Sequence, residues 1–124
     1  MDKYFIIGLG GFLGANARYF VGTWAAQRWG ATFPYGTLLV NVTGSFILGV
    51  FLGATTERFL IDPRWRLFFA VGFLGAYTTF STYTYESVQL LLNGGWWPGA
   101  ANLAASNLLG LAASVAGILL GRGR

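Results

Sequence analysis

The run from Gly72 to Glu86 places five hydroxyls, those of Thr78, Thr79, Ser81, Thr82 and Thr84, within seven residues. Apolar, helix-like sequence flanks it on both sides, from Trp65 to Val71 and from Val88 to Leu92. In hydrocarbon every unsatisfied hydroxyl or backbone group costs several kcal/mol, so polar backbone at that depth persists only inside protein or along a wet path. An unbroken helix meets this demand if each hydroxyl bonds back to a carbonyl one turn earlier. An interrupted helix meets it differently, by turning freed backbone groups toward an ion or a cavity. Gly75 and the β-branched pair Thr78-Thr79 together weaken helix continuity, which predicts a break near the middle of this span; broken spans in transport proteins gather ion sites.

The rest of the chain sets this stretch in a membrane. Of 124 residues, 55% are hydrophobic and 10% charged, and mean hydropathy is +0.57, whereas soluble domains carry about 25% charged residues. Four spans of about 20 residues would take roughly 80 residues, leaving no room for a separate soluble domain. The expected architecture is therefore an all-α integral membrane protein, one four-helix domain over 1–124 with spans near 4–26, 36–54, 65–92 and 99–121. Cysteine and histidine are absent, so thiol chemistry, disulfides and the commonest transition-metal ligands are excluded; a bound metal would be a hard cation on oxygen. The net charge of +4 lies mostly near membrane ends, which topology explains without a nucleic-acid partner.

In the first span Gly10 and Gly14 form a small-xxx-small packing face. Lys3 before an apolar run that ends Ala15-Asn16-Ala17 resembles a secretory signal, but apolar sequence continues past Arg18 and further spans follow. Arg18 lies about 21 Å along a helix at about 1.5 Å per residue. It either snorkels to the far interface or forms an electropositive mouth that concentrates anions. In the second span Thr37, Asn41 and Ser45 recur every four residues and share a face, a polar stripe that serves either as interhelical glue or as a pore lining. The stretch from Thr55 to Arg66 carries Glu57, Arg58, Asp62, Arg64 and Arg66 around Pro63 and reads as a surface loop. Asn93-Gly94-Gly95 signals a turn, with Trp96 and Trp97 as an interface belt. In the last span Asn102, Ser106, Gly110 and Ser114 make a second small and polar stripe. Gly49 and Gly53, like Gly117 and Gly121, repeat the small-xxx-small spacing.

Most of the membrane-depth polar groups donate hydrogen bonds, and only Glu86 brings a negative charge. Amides, hydroxyls and an arginine suit a small anion exchanging its hydration for donors, aided by the electropositive ring edges of Phe80 and Tyr83. No base stands ready to activate a hydroxyl, so the chain does not read as an enzyme.

The motifs Gly10-Gly11-x-x-Gly14-Ala15-x-x-Arg18-Tyr19, Gly36-Thr37-Leu38-x-Val40-Asn41-x-x-Gly44-Ser45 and Gly72-Phe73-x-Gly75-x-x-Thr78-Thr79-Phe80-Ser81-Thr82 resemble those of the Fluc or CrcB fluoride channels, across all four spans. The resemblance implies passive, fluoride-selective export that lowers cytoplasmic fluoride and protects from its toxicity, in the cell (inner or plasma) membrane. It implies an antiparallel, dual-topology homodimer with two pores and a central structural sodium ion (Na+) on backbone carbonyls, here those of Gly75 and Thr78. The pore asparagine corresponds to Asn41, the two pore phenylalanines to Phe80 and position 83, and the polar track to Thr37, Ser81, Thr82 and Ser106; Arg18 and Glu86 stand at the vestibule. Position 83 is Tyr where the family usually has Phe, and its hydroxyl is expected to turn toward the surface, to water or Glu86.

Two other readings compete. A small four-helix drug/proton antiporter has similar length but needs a membrane carboxylate, typically in its first helix, where this chain has Asn16 and Arg18. A non-conducting interaction subunit would use the three small-xxx-small faces. Positive residues also bear on assembly: Lys3, Arg58, Arg64, Arg66, Arg122 and Arg124 fall on the side of the termini and Arg28 on the other. That bias favours cytoplasmic termini and leaves room for a heterodimer with an oppositely oriented homologue.

Overall fold

The computed structural model describes residues 2–124 and is all-helical among them. Helix α1 runs Asp2–Trp29 and α2 Tyr35–Glu57. The third helix comes in two halves. Its first half, α3, joins a turn at Pro63–Trp65, a wide π-helical segment Arg66–Leu74 and a last turn Gly75–Tyr77. Its second half, α4, runs Ser81–Gln89 and opens into another π-helical segment, Leu90–Gly94. Helix α5 spans Trp96–Gly121. Among the described residues, α2 and α5 are the helices both continuous and apolar enough to cross a membrane by themselves.

The predicted break is present, but Gly75 does not make it. Gly75 keeps helical angles, φ −61° and ψ −36°, while Thr78 turns extended at φ −91° and ψ 157°. The second and third helices are also longer than their expected spans, so the loop between them shrinks to residues 58–62. That loop ends in a cap: the Asp62 carboxylate accepts from the Arg64 backbone N–H at 2.9 Å and pairs with the Arg64 guanidinium at 2.7 Å. The guanidinium holds the Asp62 carboxyl down to about 2, so the cap stays charged at any physiological pH, and Pro63 starts the helix with its preset φ. At the other turns Gly30 and Gly95 take φ of 84° and 98°, which only glycine adopts without strain.

Glycines decide which helices meet. A Cβ on Gly49 would stand 2.9 Å from the Ser114 carbonyl, and one on Gly53 would stand 2.7 Å from the Ile118 carbonyl. Reciprocally, a Cβ on Gly117 would collide with the Phe46 carbonyl and one on Gly121 with that of Val50. The two small-xxx-small faces therefore lock α2 against α5, backbone to backbone. The third such face, Gly10 and Gly14, meets the carbonyls of Phe68 and Phe73 on α3, with Gly72 returning the contact at the Ile7 carbonyl. Without a hydrophobic force between helices in lipid, this close approach is what dispersion needs. At the ends of α2 and α5, Arg122 pairs with Glu57, and Arg58 donates to the Gly121 carbonyl at 3.3 Å. Large apolar side chains on the outer faces of α1 and α5, among them Phe5, Phe12, Phe20, Leu108 and Leu111, remain exposed, as suits helices facing lipid.

Gly117→Leu should destabilise the fold by roughly 1–3 kcal/mol or more, because the neighbour that must yield is backbone. Gly8→Ala, where an added Cβ meets nothing within 4 Å, should cost nothing and add up to about 0.5–1 kcal/mol through helix propensity. Thermal unfolding in detergent checks both; equal melting of Gly117→Leu and the parent would show that α2 and α5 are held some other way.

Candidate functional site: the break in the third helix

Breaking a helix frees carbonyls on one side and N–H groups on the other. In this chain side chains from other helices take several of them. The Thr79 N–H, which in an unbroken helix would donate to the Gly75 carbonyl, donates instead to Asn41 Oδ1 at 2.8 Å. Asn41 Nδ2 returns a bond to the Thr79 carbonyl at 2.9 Å, so a single side-chain amide pairs with one residue's backbone as a neighbouring strand would. The Thr82 N–H, due to the Thr78 carbonyl in a continuous helix, goes to Thr79 Oγ1 at 3.2 Å and caps α4. Arg18 Nε donates to the Ala76 carbonyl at 3.0 Å, bringing a cation to the negative end of α3. The freed carbonyls of Ala76 and Thr79 thus have side-chain partners, while those of Gly75 and Thr78 have lost their usual N–H donors. Hydroxyls also bond back as in an ordinary helix: Thr78 Oγ1 to Leu74 and Ser87 Oγ to Tyr83 carbonyls at 3.0 and 2.7 Å. Both expected answers to the polar stretch are therefore in use.

Two cavities meet at Thr79, which lines both. The larger, of about 590 Å³, lies between α1, the loop after it, α2 and α4, with Arg18, Thr37, Thr82 and Glu86 on its wall. Glu86 Oε1 is buried there without a hydrogen-bond partner. The smaller, of about 230 Å³, is lined by Asn41, Ser45, Thr78, Phe80, Tyr83, Ser106 and Asn107 among others, none of them charged. Asn41 thus clamps the broken helix and lines a cavity, while Thr37 and Ser45 of the same stripe line the larger and the smaller cavity. Arg18 does not simply snorkel; it caps α3 and faces the larger cavity. Ser81 is exposed and lines neither cavity.

The rings of Phe80 and Tyr83 lie 6.0 Å apart, tilted by 56°. Phe80 is 76% exposed and Tyr83 only 8%. The expectation that the Tyr83 hydroxyl seeks the surface, or Glu86, is overturned, because it accepts from Asn107 Nδ2 at 2.7 Å. The ring is buried against its neighbours, and a facing α5 amide supplies the partner. Asn107 and Thr79 were not singled out as site residues in the sequence. Thr79 sits inside the hydroxyl run, and Asn107 stands out only as a polar amide in an apolar span, one position off the stripe at 102, 106, 110 and 114. The stripe itself anchors α5: Asn102, 1% exposed, donates to Ser87 Oγ at 2.9 Å, and Ser106 Oγ reaches Asn102 Oδ1 at 3.4 Å.

Residues 5–118 match the family described as CrcB-like protein, Camphor Resistance (CrcB). The chain is 54% identical over 111 residues to the fluoride-specific ion channel FluC of Koribacter versatilis, covering 90% of this chain and 88% of the relative. It is 48% identical over 120 residues to that of Solibacter usitatus, covering 97% and 98%, and 45% identical over 122 residues to that of a Sulfurihydrogenibium strain, covering 98% of each. With the family matched over nearly its whole length and the broken third helix in place, this chain belongs to the CrcB family.

Proposed function

We propose that this protein is a fluoride-selective channel that lets fluoride leave the cell passively and so protects it from fluoride. The observation that carries the reading is the smaller cavity: its wall holds amide, hydroxyl and ring-edge groups and no charged side chain. A small anion exchanging its water for such donors is held without the deep trap that a fixed positive charge would make. The N-terminus of α4 adds its positive end to that region, and Arg18 raises the local anion concentration in the larger cavity, where Thr37 and Thr82 offer hydroxyls. The relatives named as fluoride-specific channels support the same function. Family membership does not support the antiporter, and the carboxylate such a carrier needs in its first helix is absent: among the described residues α1 has only Asp2, at its start.

The polar chemistry also fits a sodium ion. Gly75 is exposed and Thr78 half-buried in the single chain, and their carbonyls have lost the N–H donors at positions 79 and 82. Carbonyl oxygens are hard ligands suited to such a cation, and two copies related by a two-fold axis would supply four. Among the described residues no cluster of three acidic groups offers a divalent site. This assignment goes with an antiparallel, multi-pass dimer in the cell membrane, its exposed apolar faces divided between lipid and the second subunit.

Asn41→Asp keeps the acceptor for the Thr79 N–H but replaces a donor with a negative charge in the ion's path. Fluoride efflux from vesicles, followed with a fluoride electrode, should fall at least about a hundredfold, the scale of a like charge a few ångströms away at intermediate dielectric; efflux at the parent rate would make Asn41 a packing residue only. Sodium should raise the melting temperature of the purified protein relative to a large organic cation, by mass action. The same melting temperature in both would remove the Gly75 and Thr78 site. Finally, a C-terminal tag on the chain expressed alone should be found on both membrane faces. A tag confined to one face would exclude the antiparallel homodimer and leave a partner of opposite charge bias.

A further inference from the structure

We propose that the Tyr83 hydroxyl, held by Asn107, is a hydrogen-bond donor to the permeating anion and sets how tightly this pore binds it. The inference rests on the fluoride-channel reading and assigns a role within that same path.

Asn107 Nδ2 makes two contacts, to the Leu103 carbonyl at 2.8 Å and to Tyr83 Oη at 2.7 Å. A carbonyl only accepts, so the amide atom beside Leu103 is nitrogen, and its identity is fixed by the backbone. An amide nitrogen does not accept, so Oη is the acceptor in the second contact and its own hydrogen is not used there. Both hydrogens of the Asn107 amide are then committed. Among the described residues no acceptor receives the phenol hydrogen, although the ring is 92% removed from solvent (8% exposed). A phenol that accepts a hydrogen bond is also polarised into a better donor.

Tyr83 and Asn107 both line the smaller cavity. Several other donors of this wall are engaged: one hydrogen of Asn41 Nδ2 goes to the Thr79 carbonyl, the Thr78 hydroxyl bonds back to the Leu74 carbonyl and the Ser106 hydroxyl is turned toward Asn102, while the hydroxyls of Ser45 and Thr79 have no acceptor among the described residues. The Tyr83 O–H differs from these aliphatic hydroxyls in being a phenol, a more acidic and so stronger donor, placed by a side-chain amide from another helix. An anion in the cavity gains a charge-assisted bond from it. Such a bond increases occupancy and slows exit, because conduction needs binding weak enough to release. Tyr83 is then a specificity-determining residue and Asn107 its positioning residue.

The test is fluoride efflux from vesicles containing the full chain, measured over a series of fluoride concentrations. Tyr83→Phe should raise the half-saturating fluoride concentration about tenfold, the size of one hydrogen bond to a charged acceptor, and raise the maximal flux. Asn107→Leu, which keeps the phenol but frees its rotation, should shift half-saturation the same way by a smaller factor. The double variant should lie no further out than Tyr83→Phe, since the amide acts only through the hydroxyl. Flux lowered at every concentration, with half-saturation within twofold of the parent in both single variants, would make the pair structural and overturn the proposal; so would parent flux that stays linear in fluoride. If Tyr83→Phe fails to assemble, the Asn107→Leu shift decides alone. A parent that carries no fluoride overturns the channel reading and this inference together, whereas a conducting parent with unmoved half-saturation overturns this inference only.

Discussion

The pairing of the Asn41 amide with the backbone of Thr79 is the interaction on which the rest of this structure depends. A break in a membrane helix is costly because freed N–H and C=O groups find no water in hydrocarbon. Asn41 meets one group of each kind with a single side chain, at 2.8 and 2.9 Å, and Thr79 Oγ1 satisfies the N–H of Thr82. The extended residue at Thr78 is thereby stable at a depth where it would otherwise refold into helix. Asn41 itself is held in place by the backbone contact of α2 with α5, which rests on four glycines. The close packing of two helices and the interruption of a third are thus one mechanical unit.

Interrupting the helix creates two ends of opposite polarity a few residues apart. The end of α3 presents carbonyls: one is taken by Arg18, one by Asn41, and the carbonyls of Gly75 and Thr78 lose their usual donors. The start of α4 presents N–H groups beside a cavity without formal charge. The interior of a continuous helix has neither, since each N–H and C=O there is paired along the ladder and the aligned dipoles show unpaired ends only at the termini. Cation-friendly and anion-friendly chemistry can therefore share one short stretch of chain, and the aromatic and hydroxyl side chains between them shape which small ion fits. The arginine serves structure and electrostatics together: its Nε caps α3 while the side chain lines the larger cavity.

Much of α5 works as support. Asn102 and Ser87, nearly fully buried, bond to each other and onward to the Tyr83 carbonyl. Each interhelical bond of this kind adds about 0.6–2 kcal/mol in a membrane, and their joint effect is to fix the face of α4 that carries Tyr83. The aromatic ladder Phe69, Phe73 and Tyr77, stacked at 5.6 and 5.9 Å, does the same for α3, ending in a Tyr77 hydroxyl 2.9 Å from Thr43 Oγ1. The two halves of the broken helix are each braced from a different side, which keeps the gap between them open.

The sequence by itself determined the class of protein and the place of its irregularity. Hydropathy and charge are sums over residues, so an all-helical, apolar chain followed from composition, and five hydroxyls in an apolar stretch marked the break because lipid tolerates no other explanation than bonding or wetting. Small-xxx-small spacings likewise announced close packing, since period and size are local properties. Which faces would pair was not local: Gly10 and Gly14 could have met any helix, and only the folded chain set them on Phe68 and Phe73. Of the two features that weaken the helix, Gly75 and the Thr78-Thr79 pair, the break falls at the second, where Asn41 can reach the freed backbone, and not at the glycine of low helix propensity. Tyr83 shows the limit most plainly. Its hydroxyl has a partner 24 residues away on α5, and no spacing rule within one helix could find Asn107, because that contact exists only once two helices have been packed side by side.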